Sequence, residues 1–398
     1  MTPEDLLAEA DRCVKCGLCL NVCPTYRLLA SEADSPRGRI SLIQAFVKDE
    51  IGLDSHLETH LDRCLSCRAC ESACPSGVRY GKLLDASRAM IATKRHGATP
   101  LKIVINQLSS VRHFNIWNRL FQTFRHLGLV TLTRKLPLPR IRRLLSIADH
   151  LPSKPSQRAG FYPASKPTSR SVQLFTGCVG SQVEDRLIHN SLQILIRLGY
   201  AVDIPREETC CGALHRHNGF PADADKLCDT IREQTHKSSA QHLVTIATAC
   251  HLELDEQRTS KRPLISIVDL LLQLPANDIP ALKPLDKKAA IHIPCSSRSD
   301  HSWALLSKIP DLELSNLPEN DICCGAAGSY MLTQPELSLQ LGWAKIDHLK
   351  ASGADILITT NTGCAMQFRQ LIKEAGLAIE VFHPIELIYK QWNSNTEG

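Results

Sequence analysis

Two short cysteine runs near the N-terminus constrain this chain more than any other feature. They read Cys13-Val-Lys-Cys16-Gly-Leu-Cys19-Leu-Asn-Val-Cys23-Pro24 and Cys64-Leu-Ser-Cys67-Arg-Ala-Cys70-Glu-Ser-Ala-Cys74-Pro75. Both follow C-x2-C-x2-C-x3-C-P, a spacing that holds [4Fe–4S] clusters. Three thiolates at two-residue intervals on a tight loop reach three iron corners of one cube. The fourth cysteine points away, and where two such runs share a domain it ligates the other run's cluster. The spacing therefore assigns one cluster to Cys13, Cys16, Cys19 and Cys74, and the other to Cys64, Cys67, Cys70 and Cys23. A proline after each fourth cysteine, its φ already fixed, turns the chain away. Structural zinc sites pair two short Cys/His clips and do not line up four thiols in one run. A disulfide framework belongs to small secreted chains.

At 398 residues and 43% hydrophobic content, the chain has material for about two or three ordinary globular domains. Its 17 cysteines are an odd number, and two cluster motifs imply a reducing compartment. The N-terminus, Met1-Thr2-Pro3-Glu4-Asp5-Leu6, lacks the basic start and apolar stretch of a secretory signal. No apolar run approaches the ~18 residues of a membrane span. These features predict a cytoplasmic protein, peripheral on the inner face of a membrane if membrane-bound at all.

Residues 4–12 and the apolar spacing within Ile40–Val47 and Leu57–Leu61 predict short helices. The forty residues between the runs thus point to a helical two-cluster domain over 1–95. Within them Ser35-Pro36-Arg37-Gly38-Arg39 reads as a turn carrying two guanidiniums close to the clusters. They form surface salt bridges, or they stabilise negative clusters or an acidic partner. Residues 96–170 form a basic connector. Between Lys94 and Arg170 stand fifteen Lys or Arg residues and one acid, Asp149. The stretch Val111–Arg125 is helical, basic and aromatic, and Pro137, Pro139, Pro152 and Pro155 break the chain beyond it. Its aromatics are expected to pack inward, and its charges are expected to be solvated or to meet an anionic membrane surface. No groove-reading motif accompanies the charge, which argues against nucleic acid. Residues 152–170, rich in Pro, Ser and Lys, read as a linker.

An internal repeat occupies 171–280 and 281–398. The first copy runs from a strand at Val172–Cys178 through a helix at about Glu184–Leu198 and a strand at Ala201–Ile204. It continues through Cys210-Cys211-Gly212, a second helix, a strand at His242–Cys250, and Pro263–Leu271. The second copy repeats this order with Ala290–Cys295, Cys323-Cys324-Gly325, Asp355–Cys364 and Ala378–Leu387, shorter by about one helical turn before its Cys-Cys-Gly. Alternating β-rich and helical stretches predict parallel α/β units. The fold class expected is α+β multidomain: a mostly helical two-cluster domain, then two tandem α/β cysteine-rich repeats related by pseudo-symmetry.

Four cysteines per copy, Cys178/Cys210/Cys211/Cys250 and Cys295/Cys323/Cys324/Cys364, occupy matching places at strand ends or in the following loops, where open α/β sheets bind ligands. Glycine behind each cysteine pair permits positive φ or close approach to a bulky inorganic group. A further Fe–S or metal site in each repeat, or one shared between them, is the expectation; buried free thiols and a vicinal disulfide are the alternatives. Cys228 has no counterpart and reads as a core thiol. His217 and His251 are candidates to complete a coordination shell or relay protons. No residue is assigned a catalytic role.

Together these motifs resemble the iron–sulfur subunits related to heterodisulfide reductase, and within that group the iron–sulfur subunit of bacterial glycolate oxidase. The resemblance is carried by Ser35-Pro-Arg-Gly-Arg-Ile40, Leu61-Asp-Arg-Cys-Leu-Ser-Cys67, Cys74-Pro-Ser-Gly-Val-Arg-Tyr80, Cys323-Cys-Gly-Ala-Ala-Gly-Ser-Tyr330 and Thr333-Gln-Pro-Glu336. It implies a membrane-associated complex in which FAD flavoprotein subunits oxidise glycolate and this subunit passes electrons onward to quinone. The heterodisulfide reductase pattern ends each repeat in C-x-x-C; here Cys250 is followed by His-Leu-Glu and Cys364 by Ala-Met-Gln. With no G-x-G-x-x-G after a strand, the chain is expected to do no C–H chemistry itself. Three alternatives stay open: disulfide or quinone reduction at the repeats, service to a lactate dehydrogenase complex, and clusters that only hold the fold.

Overall fold

The computed structural model describes residues 1–95, 100–127, 159–165, 169–205, 210–275, 278–297 and 299–393. Helices α1 (Pro3–Ala10), α2 (Pro24–Leu29), α3 (Pro36–Val47), α4 (Ser55–Asp62), α5 (Ala69–Ser72) and α6 (Tyr80–Lys94) make up the N-terminal part, with one 3₁₀ turn at Glu32–Asp34. Their starts are written locally. Thr2 and Asp5 cap α1 reciprocally, Ser35 accepts from the Gly38 amide at the head of α3, and Asp54 does the same for Leu57 in α4. Leu6, Ile40, Ile43, Phe46, Leu57, Leu61, Leu83 and Leu84 form one core between these helices.

The stretch expected to be a turn at Ser35–Arg39 is instead a helix start. Pro36 sits in the first turn, where its missing N–H is no loss, and Gly38 lies against the carbonyl of Glu32, where no side chain fits. Arg39 is fully buried rather than superficial.

Helices α7 (Pro100–Ser109) and α8 (Val111–His126) come next. The expectation that the aromatics pack inward holds for Phe114 but not throughout the helix. Trp117 and Phe124 are exposed, as are Ile116 and Leu120, because α8 turns only one face to its neighbours. Pro137, Pro139, Pro152, Pro155 and most of the basic residues between them lie outside the described residues.

Among the described residues, nine strands build two sheets. One holds β1 (Gly160–Tyr162), β2 (Ser171–Phe175), β3 (Ala201–Ile204), β4 (His242–Thr245) and β5 (Leu264–Ser266). The other holds β6 (Lys287–Ile291), β7 (Leu312–Asn316), β8 (Ile356–Ile358) and β9 (Glu380–Phe382). The orders are β1-β3-β2-β4-β5 and β7-β6-β8-β9, parallel except for β1. Leaving β1 aside, the two arrays run in the same order, as a duplicated unit requires. Part of the expected linker is thus an edge strand, with Gly160–Tyr162 pairing antiparallel to β3. Between its first cysteine and its Cys-Cys-Gly the second copy is four residues shorter, about one helical turn, and among the described residues it also holds less helix there. Helices of 4 and 13 residues lie between Cys178 and Cys210, and one of 5 residues lies between Cys295 and Cys323.

A single apolar core joins the two sheets through helices Asp185–Arg197, Ile267–Leu272 and Pro384–Asn393. Arg369 adds a two-pronged bond to Glu184, both at 3.0 Å, across the repeats. Burial still lifts the Glu184 carboxyl to about 7. The helical domain docks on both repeats. Leu65 and Leu29 pack with Ile322, Tyr330, Leu337 and Leu341. The Tyr330 hydroxyl donates to the Arg63 carbonyl at 3.1 Å, and Arg27 meets Glu319 at 2.6 Å. On the first repeat, Arg68 pairs with Glu256 at 2.5 Å and His217 with Asp85 at 3.1 Å. Among the described residues no helix is long and apolar enough to cross a membrane.

Candidate metal centres

The two cysteine runs adopt one loop conformation. Lys15 and Gly17 in the first, and Ser66 and Arg68 at the matching places in the second, all have positive φ. That alternation curls the loop so that successive cysteines face inward. Cys13, Cys16 and Cys19 line one concavity together with Cys70 and Cys74 of the second run, beside Ile40, Val78 and Tyr80. Cys23 is buried and is not among the residues that line this concavity. Its charge is felt at Cys67 and Cys70 together with that of Cys64. Burial first, and then the neighbouring sulfurs, push the Cys67 and Cys70 thiols well above their usual range. Thiols crowded this way ionise only when positive charge joins them, which is what iron provides.

The two arginines of the α3 start serve different runs. Arg37 reaches the Lys15 carbonyl at 3.2 Å and is braced by Glu32 at 2.7 Å. Arg39 donates to the His60 carbonyl at 2.6 Å, to the Thr25 hydroxyl at 3.0 Å and to Asp34 at 3.3 Å. Thr25 in turn stands 3.4 Å from the Cys23 sulfur and donates to the Asp34 carbonyl at 3.0 Å. The buried guanidinium also lies close enough to Cys64 and Cys23 to gain from their negative charge.

In each repeat the four cysteines form a row of touching thiols: Cys178, Cys210, Cys211, Cys250 in the first, and Cys295, Cys323, Cys324, Cys364 in the second. Cys295 and Cys323 are 3.8 Å apart. Contact with neighbouring thiols, then burial, drives the Cys210 and Cys295 thiols upward. Gly212 and Gly325 have φ of +86° and +87°, and a Cβ at Gly325 would stand 2.5 Å from the Ser338 carbonyl. Only glycine lets the cysteine pair turn inward there. Cys250 and Cys364 do not stand at strand ends, as the sequence predicts. They lie in the first turns of helices Thr248–Glu256 and Thr362–Glu374.

The histidine candidates divide. His217 is tied to Asp85, whose carboxylate raises it above the ordinary histidine range against the opposing effect of burial, and its carbonyl accepts from Arg88 at 2.8 Å. It is a bolt between domains. His251 bonds Thr245 at 2.8 Å and lines a polar cavity of about 230 Å³ between the repeats, with Asp255, Asp269, His301 and His383. Cys228 is buried on helix Pro221–Lys237, its thiol donating to the Cys211 carbonyl at 3.5 Å. His292 is absent from the candidates that spacing alone picks out. One ring nitrogen of this buried residue and the sulfurs of Cys324 and Cys364 lie within 4.8 Å of one another. Its signal in the sequence is a lone histidine inside the apolar run Ala290-Ile-His-Ile, three residues before Cys295. Burial lowers it to about 3, so it stays neutral.

Comparison with known proteins agrees with this geometry. Residues 9–78 match the 4Fe-4S dicluster domain, and residues 172–255 and 289–369 match the cysteine-rich CCG domain. The chain is 30% identical to the probable glycolate oxidase iron-sulfur subunit of Bacillus subtilis, over 94% of this chain and 91% of that one. It is 31% identical to the glycolate oxidase iron-sulfur subunit of Escherichia coli, over 88% of each. Lactate utilization protein A of Halalkalibacterium halodurans is 26% identical over 57% of this chain and 99% of its own. Fold and thiol sets together define an iron–sulfur protein with a dicluster domain and two CCG repeats. The chain belongs to the glycolate oxidase iron–sulfur subunit family.

Proposed function

We propose that the chain is the electron-transfer subunit of a glycolate-oxidising complex. A partner flavoprotein takes two electrons from the 2-hydroxy acid, leaving the 2-oxo acid and two protons. The [4Fe–4S] pair, when bound, supplies one-electron relay toward a quinone. Cys13, Cys16, Cys19 and Cys74 hold one cluster, and Cys64, Cys67, Cys70 and Cys23 hold the other. Arg37 and Arg39 set the loops and offset negative charge, while Ile40, Val78 and Tyr80 keep water from the first site. The observation supporting this reading is that Cys74, with Cys70, reaches the cavity of the first run, while Cys23 does not line it and acts electrostatically on Cys67 and Cys70. Cys67 also feels Cys295 and packs near Cys323, which supports a second cluster at the doorstep of the second repeat.

The basic helix α8, with Trp117, Ile116, Leu120 and Phe124 exposed, supports peripheral docking of the complex on an anionic membrane from the cytoplasmic side. The match to lactate utilization protein A favours lactate as the second substrate reading. Anaerobic affinity purification from the native host, assayed directly for dye reduction, tests the proposal. A co-eluting flavoprotein and dye reduction by glycolate are expected. Reduction by D-lactate alone would overturn the substrate, and absence of any flavoprotein would overturn the role.

A further inference from the structure

We propose that His292 is a metal ligand, joining Cys324, Cys364 and Cys323 in a mixed imidazole–thiolate centre in the second repeat. This rests on the reading that the CCG repeats bind metal, and it adds the ligand set and an asymmetry between the copies.

Three observations carry it. The first is distance: the donor atoms of His292, Cys324 and Cys364 all lie within 4.8 Å of one another, and all three residues are buried. Ligands on one tetrahedral thiophilic ion stand about 3.5–3.8 Å apart, so modest inward movement closes the shell. Cys323, next to Cys324 in the chain and 3.8 Å from the Cys295 sulfur, lies outside that 4.8 Å group and is the fourth donor of the proposed centre.

The second is orientation. The Thr359 hydroxyl engages Nδ1 of His292 at 3.1 Å, and the Phe368 ring meets the imidazole edge-on with centroids 4.8 Å apart. A histidine whose Nδ1–H donates to a hydroxyl presents Nε2 to a metal, the usual arrangement around metal-bound imidazole. Asn361 donates to the Cys364 sulfur at 3.4 Å and fixes its position beside the imidazole.

The third is the contrast with the first repeat. Phe175 stands three residues before Cys178, as His292 stands three before Cys295. On the helix after each Cys-Cys-Gly, buried Ile231 occupies the place that buried Lys345 takes in the second copy. The first repeat therefore surrounds Cys211 with apolar Phe175, Ile231 and Leu254. The second brings an imidazole and an ammonium whose charge lies near Cys323 and Cys324. Three thiolates on a divalent ion leave one net negative charge, which Lys345 offsets. The residues three positions beyond Cys250 and Cys364 take no part: Glu253 is held by Arg216 at 2.6 Å, and Gln367 donates to the Cys324 carbonyl at 3.2 Å.

The test is elemental analysis of iron and zinc, with acid-labile sulfide, on the full chain purified anaerobically and challenged with chelator. Wild type should carry metal beyond the about eight irons of two cubanes. Excess iron with sulfide would identify an Fe–S centre, and zinc without sulfide a single ion; either agrees with the proposal. His292→Ala should lower the excess about twofold or more, by the share of the second repeat, while cubane iron stays. His292→Cys should retain it, and His251→Ala should leave it untouched. An unchanged excess in His292→Ala overturns the ligand assignment alone. No excess in wild type overturns the metal reading of the repeats with it. If His292→Ala also loses its cubanes, His292→Cys decides, since loss of the excess there with cubanes intact refutes the proposal.

Discussion

Replacing Cys23 by alanine is expected to remove the cluster of the second cysteine run, although Cys23 belongs to the first. Iron should fall by about four per chain, one cubane's worth, with one of the two reduced-cluster EPR signals gone. Cys23 is buried, and its charge is felt at Cys67 and Cys70. Its backbone leads into Pro24 and α2, away from the concavity of Cys13, Cys16 and Cys19. The decisive comparison is between single variants. Cys23→Ala and Cys67→Ala should leave the same residual spectrum, and Cys74→Ala should match Cys16→Ala. If Cys23→Ala instead matches Cys16→Ala, each run holds its own cluster and the exchange of fourth ligands is wrong.

Asp34→Ala should destabilise the helical domain by roughly 3–5 kcal/mol, the range for deleting one partner of a buried ion pair. Asp34 and Arg39 are essentially inaccessible to solvent, and Asp34 also takes Arg63 at 3.2 Å. Without the carboxylate, one buried guanidinium loses its counter-charge in a low-dielectric setting. The change should appear in the denaturant midpoint of the anaerobic holo-protein and in faster loss of the cluster beside Cys23, because Arg39 steadies Thr25 next to that sulfur. Asp34→Asn, which keeps an acceptor, should be milder. An unshifted midpoint in Asp34→Ala would show that Arg63 and Arg39 find water or other partners there.

The parts legible in sequence are those whose determinants are local. Cysteine spacing is a property of ten or so consecutive residues, and the central strands β2, β4, β6 and β8 each carry a buried, mostly apolar core that marks them in the sequence. Edge strands carry no such mark, so Gly160–Tyr162 reads as linker. Pro36 and Gly38 suit a turn and a helix start equally, and the choice falls to the Ser35 cap and to a carbonyl that leaves no room for a side chain. Cys250 and Cys364 read as strand residues because Thr-Ala-Cys and Thr-Gly-Cys carry no strong helical signal. The chain bends into a helix there only once the sheet has ended. His292 and Lys345 are illegible for a different reason: each gains meaning from cysteines brought to it by other strands.

The docking of the helical domain bears on how electrons would move through the protein. Tyr330 comes directly after the second Cys-Cys-Gly loop and is hydrogen-bonded to the residue just before Cys64, while Leu65 sits in the same apolar cluster as Ile322 and Cys323. The spacing between donor and acceptor is therefore set by interdigitated side chains rather than by a swinging tether. Carriers that depend on a tether slow down in thick solvent, because each turnover waits for a diffusive swing. Transfer between the second cluster and the second repeat should instead keep its pace when glycerol or sucrose raises the viscosity, and respond only to driving force.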